Sequence, residues 1–152
     1  MKILLAIDDS KFSDAAIQML IAQNQPGKTT VRVLHVVEPI EKPYYSELSP
    51  PYPRDFNGLK KKRLKAGRDL VAKTTDKLRT AGFKVDGGVN QGHPRTTIVD
   101  TAAKWHANLI VIGSHGRKGL GRLLLGSVSD YVARHASCSV QIVRTRALKK
   151  AK

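Results

Sequence analysis

The sequence predicts an α/β fold: a doubly wound, five-stranded parallel sheet with helices on both faces, built as one domain. Three observations predict it. Strand-like and helix-like segments alternate along the chain, which implies a parallel sheet with crossover helices. The first strand, Lys2–Asp8 (KILLAID), and the fourth, Asn108–Ile112 (NLIVI), are near-continuous apolar runs, as strands buried on both faces must be. The chain has 152 residues, 41% of them hydrophobic, enough for one full core. Right-handed crossovers then distribute helices over both faces.

After the first strand, Ser10 or Asp9 can cap a helix, and Phe12, Ala15, Ala16, Met19 and Leu20 recur at helical spacing. Pro26 and Gly27 close that region. Thr30–Glu38 (TVRVLHVVE), rich in β-branched residues, is the second strand. A long helix follows over Leu59–Ala81, with Leu64, Gly67, Val71, Thr74, Leu78 and Ala81 along one face and Gly82 just past its end. Phe83–Gly92 is a weaker third strand. Pro94 opens the next helix, whose inner face is Ile98, Thr101, Ala102 and Trp105. The final helix is marked by Leu124, Val128, Tyr131 and His135, and Ser139–Arg144 (SVQIVR) is the fifth strand. The exception to this rhythm is Glu38–Phe56, with five of the seven prolines and three of the four tyrosines. Such a stretch is expected to be a surface excursion; a lid or docking segment is the sharper alternative.

Charge narrows the partners. Lys plus Arg number 27 against 12 Asp plus Glu, a formal net charge of +15. That favours an anionic partner such as nucleic acid, a nucleotide or an acidic lipid surface. Much of the charge sits in two stretches, Lys60–Arg68 and Arg144–Lys152, which read as a solvated helix face and a basic tail. Nucleic-acid binding is therefore expected to be weak and nonspecific, since no reading helix or aromatic stacking platform accompanies it. No apolar run is long enough to cross a bilayer. Ile3–Ile7 is too short for a signal h-region, and Asp8 and Asp9 stop it. With a lone cysteine, Cys138, these features make a cytoplasmic location the expectation.

The most informative stretch is Gly113–Ser127 (GSHGRKGLGRLLLGS), directly after the fourth strand. It holds five glycines together with Arg117, Lys118 and Arg122. Ligands in open parallel sheets bind beyond the carboxyl ends of strands, where strand order reverses. The final helix begins near Gly126 and Ser127, and a helix N-terminus offers free N–H groups and partial positive charge to a phosphate. Glycine lets the backbone approach a ligand closely, and Ser127 adds a hydroxyl. Asp8, at the end of the first strand, is poorly suited to phosphates and well suited to ribose hydroxyls. The dinucleotide fingerprint is absent, because Asp8–Ser13 (DDSKFS) holds no glycine. Gly116 and Gly121 have P-loop spacing, but Arg122 and Leu123 replace the required lysine and hydroxyl residue.

The spacing that is present runs Gly113, two residues, Gly116, nine residues, then Gly126–Ser127. In this the chain resembles the universal stress protein family, whose ATP-binding members carry G-2x-G-9x-G-[ST]. ILLAIDDSKFSDAA, VLHVVE, QGHP, ANLIVIGSHG and LLLGSVSDYVARHASCSVQIVR extend the resemblance over nearly the whole chain. Ser139 stands where the family usually has proline. The resemblance implies a Rossmann-like domain over residues 1–146; within it the irregular loop at 39–56 resembles nothing specific, and 147–152 read as a basic tail by their charge. It implies that Asp8 contacts ribose or the adenine edge, and that Ala6, Ile7, Val36 and Ile112 line an adenine slot. Gly113, Gly116, Gly126 and Ser127 would hold ribose and phosphates, with Val128 adding an amide. It also implies a homodimer through Ser139–Arg144, a strand whose unpaired edge would otherwise be a liability.

Other chemistry is thin. His35 reads as a packed strand residue, His93 and His115 as residues that could face the site, and His106 and His135 as helix-end residues. No zinc-ligand spacing or G-x-S-x-G elbow occurs, and Cys138 reads as a buried, inert thiol. Asp8 and Asp9 could recruit Mg²⁺ alongside ATP phosphates. No dedicated base for water activation stands out. The expected function is an ATP-binding stress-response regulator or binding module with at most weak ATPase activity. The alternatives are a slow ATP hydrolase or phosphotransferase, and a basic nucleic-acid-associated protein.

Overall fold

The computed structural model describes residues 1–40, 55–116 and 125–145. Within them lie β1 (Lys2–Ala6), α1 (Lys11–Gln23), β2 (Thr30–Val37), α2 (Phe56–Thr80), β3 (Lys84–Gln91), α3 (Pro94–Trp105), β4 (Leu109–Gly113), α4 (Ser127–His135) and β5 (Ser139–Val143). The five strands form one sheet in the order β3-β2-β1-β4-β5, with every neighbouring pair parallel. The chain builds outward from β1 to β3, then returns to the other side of β1 with β4. Strand order therefore reverses between β1 and β4, where Ala6 is paired with Ile112.

The alternating side chains of the central strands feed two cores. On one face Ile3, Leu5, Val31, Val33 and Val111 pack with Ala16, Ile17 and Leu20 of α1 and Val71 and Leu78 of α2. On the other, Leu4, Ala6, Leu34, Ile110 and Ile112 pack with Ile98 and Ala102 of α3 and Val132 of α4. These are the continuous apolar strands and two helical layers expected of a doubly wound sheet.

Local signals end the elements where they should. Ser10 caps α1, its Oγ accepting from Ser13 N–H. Pro94 stands at the first turn of α3. Gly82 follows α2 with φ of 90°, in the left-handed region, and its N–H bonds back to Arg79 O (2.8 Å). The basic run Lys60–Arg68 lies on α2 with Lys60, Lys61, Lys62, Arg63, Lys65 and Arg68 all exposed.

Two helix faces differ from expectation. The inner stripe of α1 is Ser13, Ala16, Ile17 and Leu20: of the expected residues Ala16 and Leu20 are central and Ala15 and Met19 pack at the margin, while Ser13 and Ile17 join the stripe in place of Phe12. In α4, Ser129 and Val132 are buried, with Val128 and Ala136 packed alongside. Tyr131 and His135 instead stack on each other at 3.9 Å, and His135 is exposed. Short helices carry enough apolar residues for either of two adjacent stripes, and the sheet selects one. Arg117, Lys118, Arg122 and Leu124, most of the segment 39–56 and the tail 147–152 lie outside the described residues.

Candidate functional site

The strand-order reversal brings the carboxyl ends of β1 and β4 side by side, and both halves of the sequence-predicted site meet there. Asp8, two residues beyond β1, is held rigidly. Its Oδ1 accepts from Ser10 N–H (3.1 Å), Ser10 Oγ–H (2.5 Å) and Ser13 Oγ–H (2.7 Å). Its own N–H donates to Ser13 Oγ (2.9 Å). One carboxylate oxygen is thus saturated by the first turn of α1. The other faces Gly116: a Cβ on that glycine would lie 2.9 Å from Asp8 Oδ2 and near no other described group. The stretch DDSKFS lacks glycine because its job is to fix a carboxylate with serine hydroxyls.

On the β4 side, Ser114 N–H donates to Val143 O and Gly126 N–H donates to Ser114 O (both 2.8 Å). Ser129 Oγ–H lies 2.9 Å from both Ser114 O and Gly126 O. These bonds tie the end of β4 to the start of α4. Asp130 N–H, bonded to Gly126 O (2.9 Å), closes the first turn. The N–H groups of Ser127, Val128 and Ser129 therefore have no acceptor inside the helix, and Ser127 is exposed. Donors at α4 and an acceptor at Asp8 give the crevice a defined polarity.

The glycines have unequal reasons to be glycine. A Cβ at Gly113 would sit 2.7 Å from Phe12 Cβ and 2.8 Å from Phe12 C, against the backbone of α1. One at Gly126 would sit 3.0 Å from Ser114 O and 3.1 Å from His115 Cα. Both positions are constrained by the protein's own main chain. Only Gly116, of the three, is limited by a site side chain alone.

The residues assigned to an adenine slot divide between faces. Ala6, Val36, Ile112 and Val128 share the α3/α4 side of the sheet. Ile7 points into the opposite core; its N–H donates to Leu34 O (2.9 Å) and its carbonyl oxygen lies 2.9 Å from His35 Nδ1. His35 is accordingly a buried structural residue. His93 caps α3 and is exposed. His115 sits in the crevice, its ring 5.1 Å from that of Phe12 and its Nδ1 3.1 Å from Ser114 Oγ. Phe12, Ser10, Ser13, Ser114 and Ser129 were not legible as site residues. Only the spacing of Ser10 and Ser13 after Asp8 could have signalled their role.

Elsewhere, Cys138 is partly buried, and burial pushes its thiol pKa up, away from the reactive thiolate. Among the described residues no cluster of His, Cys, Asp and Glu is arranged to hold a metal ion. None of the described helices is long and apolar enough to cross a membrane.

Known proteins share this architecture. The profile of the Universal stress protein family matches residues 1–144. A universal stress protein of Thermus aquaticus is 33% identical over 142 residues, covering 93% of this chain and 97% of the relative. The solved structure of MJ0577, from Methanocaldococcus jannaschii, superposes with a TM-score of 0.80 at 27% identity, covering 96% of each chain. A universal stress protein in complex with cAMP superposes at 0.65 with 25% identity, over 94% of this chain and 96% of that one.

Proposed function

This chain belongs to the universal stress protein family, and from that membership we propose that it binds an adenine nucleotide, ATP foremost, between β1, β4 and α4. In this reading it is a nucleotide-dependent binding module of the stress response. The observation that carries the reading is the polarity of the crevice. Asp8 offers beside Gly116 a carboxylate oxygen that takes no hydrogen bond among the described residues, an acceptor for ribose hydroxyls. The N-terminus of α4 offers N–H groups and the Ser127 hydroxyl to phosphates. Ala6, Val36 and Ile112 supply apolar surface for the base on the α3/α4 side. The complex of a relative with cAMP supports an adenine nucleotide as the ligand class.

Titration calorimetry of wild type and Ser127→Ala with ATP and adenosine tests this. A hydrogen bond to a charged group is worth about 1.5–3 kcal/mol, so ATP affinity should fall roughly tenfold to a hundredfold. Adenosine, which lacks phosphates, should bind both proteins equally. Wild type that binds no adenine nucleotide, or Ser127→Ala that binds ATP as tightly as wild type, would overturn the reading.

A further inference from the structure

The fold leaves one polar atom of this crevice unsatisfied. Nε2 of His115 is buried and has no hydrogen-bond partner among the described residues. Among the described residues, the other such side-chain atom is Thr75 Oγ1. Thr75 lies on α2 against β3, where a Cβ at Gly87 would come within 2.9 Å of its hydroxyl, in a packed interior with no strand end nearby. His115 is different. Its backbone abuts Gly126 at the start of α4, and its ring rests against Phe12 in the first turn of α1. It therefore lies between the two helix starts that frame the crevice.

The neighbouring serine sets which proton the ring carries. Ser114 is 1% exposed, and its Oγ lies 3.1 Å from His115 Nδ1. If Nδ1 carried the proton, the serine hydroxyl proton would have no acceptor there, and Nε2 would be an unmet acceptor as well. If Ser114 Oγ–H donates to Nδ1, both of those groups are satisfied and the proton sits on Nε2. The single remaining defect is then a buried N–H donor. A donor buried without a partner destabilises the free protein and marks a place where an acceptor is expected.

We propose that His115 is a phosphate-recognition residue, donating Nε2–H to an oxygen of the phosphate next to the ribose. The inference rests on the nucleotide reading above and assigns a residue to it. Ribose hydroxyls, as donors, are directed to Asp8, so the complement of a fixed N–H is an anionic oxygen. The first-turn N–H groups of α4 draw the phosphate toward the same place.

The test uses AMP and adenosine against wild type, His115→Phe and His115→Gln. Phenylalanine keeps the aromatic contact with Phe12 and removes the donor. Glutamine places an amide N–H near the position of Nε2. His115→Phe should weaken AMP about tenfold, the loss of one charge-assisted bond, and leave adenosine unchanged. His115→Gln should recover most of the AMP affinity. Nitrogen-15 spectra of the wild-type imidazole should show the Nε2–H tautomer in the free protein. Its Nε2 resonance should shift on adding AMP but not on adding adenosine. Equal AMP affinity in His115→Phe and wild type would overturn the assignment, as would equal losses for AMP and adenosine, or an Nδ1–H tautomer in the free protein. Wild type that binds neither nucleotide would instead remove the nucleotide reading and this assignment with it. Should His115→Phe fail to fold, the spectra and His115→Gln, retaining near-wild-type AMP affinity, decide the matter.

Discussion

Two concavities of this molecule invite comparison. One is the crevice at the carboxyl ends of β1 and β4. The other is a groove of about 460 Å³ between α3 and the outer strands, lined by Arg32, Asn90, Thr97, Asp100, Thr101, Lys104 and Trp105. By size the groove falls within the range of ligand pockets. Its chemistry is that of a solvated surface. Arg32 pairs with Asp86 at 2.7 Å, the two side chains 34% and 55% exposed. The guanidinium lies 4.6 Å from the Trp105 ring centre, with Lys2 Nζ at 5.5 Å. The hydrogen bonds that Arg32 donates to Asp86 are the main cause of its raised pKa. Arg32 is met by Asp86 and Trp105, and among the described residues the lining includes no unsatisfied buried side-chain atom. In the crevice, one oxygen of Asp8 is fixed by three donors, and, among the described residues, the other has no donor and a buried imidazole nitrogen of His115 has no partner. Unmet polar chemistry held by rigid neighbours favours the crevice.

That contrast can be broken at three points. The largest effect is expected at the seam between α1 and β4. Gly113→Val would press a branched side chain onto the Phe12 backbone, which cannot yield as a side chain could. A loss of about 3 kcal/mol in unfolding free energy follows from such overpacking, measured by urea denaturation. Wild-type stability in this variant would mean that α1 can move away from β4, and the crevice would lose its rigidity.

The next effect separates the two concavities. Trp105→Ala removes the ring that stacks beneath Arg32 and Lys2 in the groove. The ring is only partly buried, so about 2 kcal/mol of stability should be lost. Titration with AMP should give the wild-type dissociation constant. A tenfold weakening would move the nucleotide from the crevice to the groove.

The smallest effect sharpens the account of the groove itself. Asp86→Asn breaks an exposed ion pair, which should cost less than about 1 kcal/mol. The difference from wild type should shrink in concentrated salt. A larger, salt-independent loss would show that this pair is a buried structural element, and the groove more organised than a solvated face.

The sequence by itself determined the five strands, their parallel arrangement and the two strand ends that matter. Continuous apolar runs permit burial on both faces only. Caps such as Ser10, Pro94 and Gly82 act through local backbone geometry, which the sequence specifies directly. The candidate positions Asp8, Gly113, Gly116, Gly126 and Ser127 could be placed for the same reason: each stands at a fixed offset from a recognisable strand or helix end. Tertiary structure decided the rest. Which stripe of α1 and α4 faces inward depends on the sheet they meet, and so does the outward turn of Tyr131 and His135. That Gly113 answers to Phe12 is a contact between elements about a hundred residues apart in the sequence, and no local pattern encodes it. Ser129 reaching Ser114 across 15 residues is of the same kind. So is the setting of His115, whose ring meets Phe12 of α1 and whose backbone meets Gly126 at the start of α4. Sequence spacing reports the bonds a chain makes with itself nearby; the burial of a single atom depends on everything that folds over it.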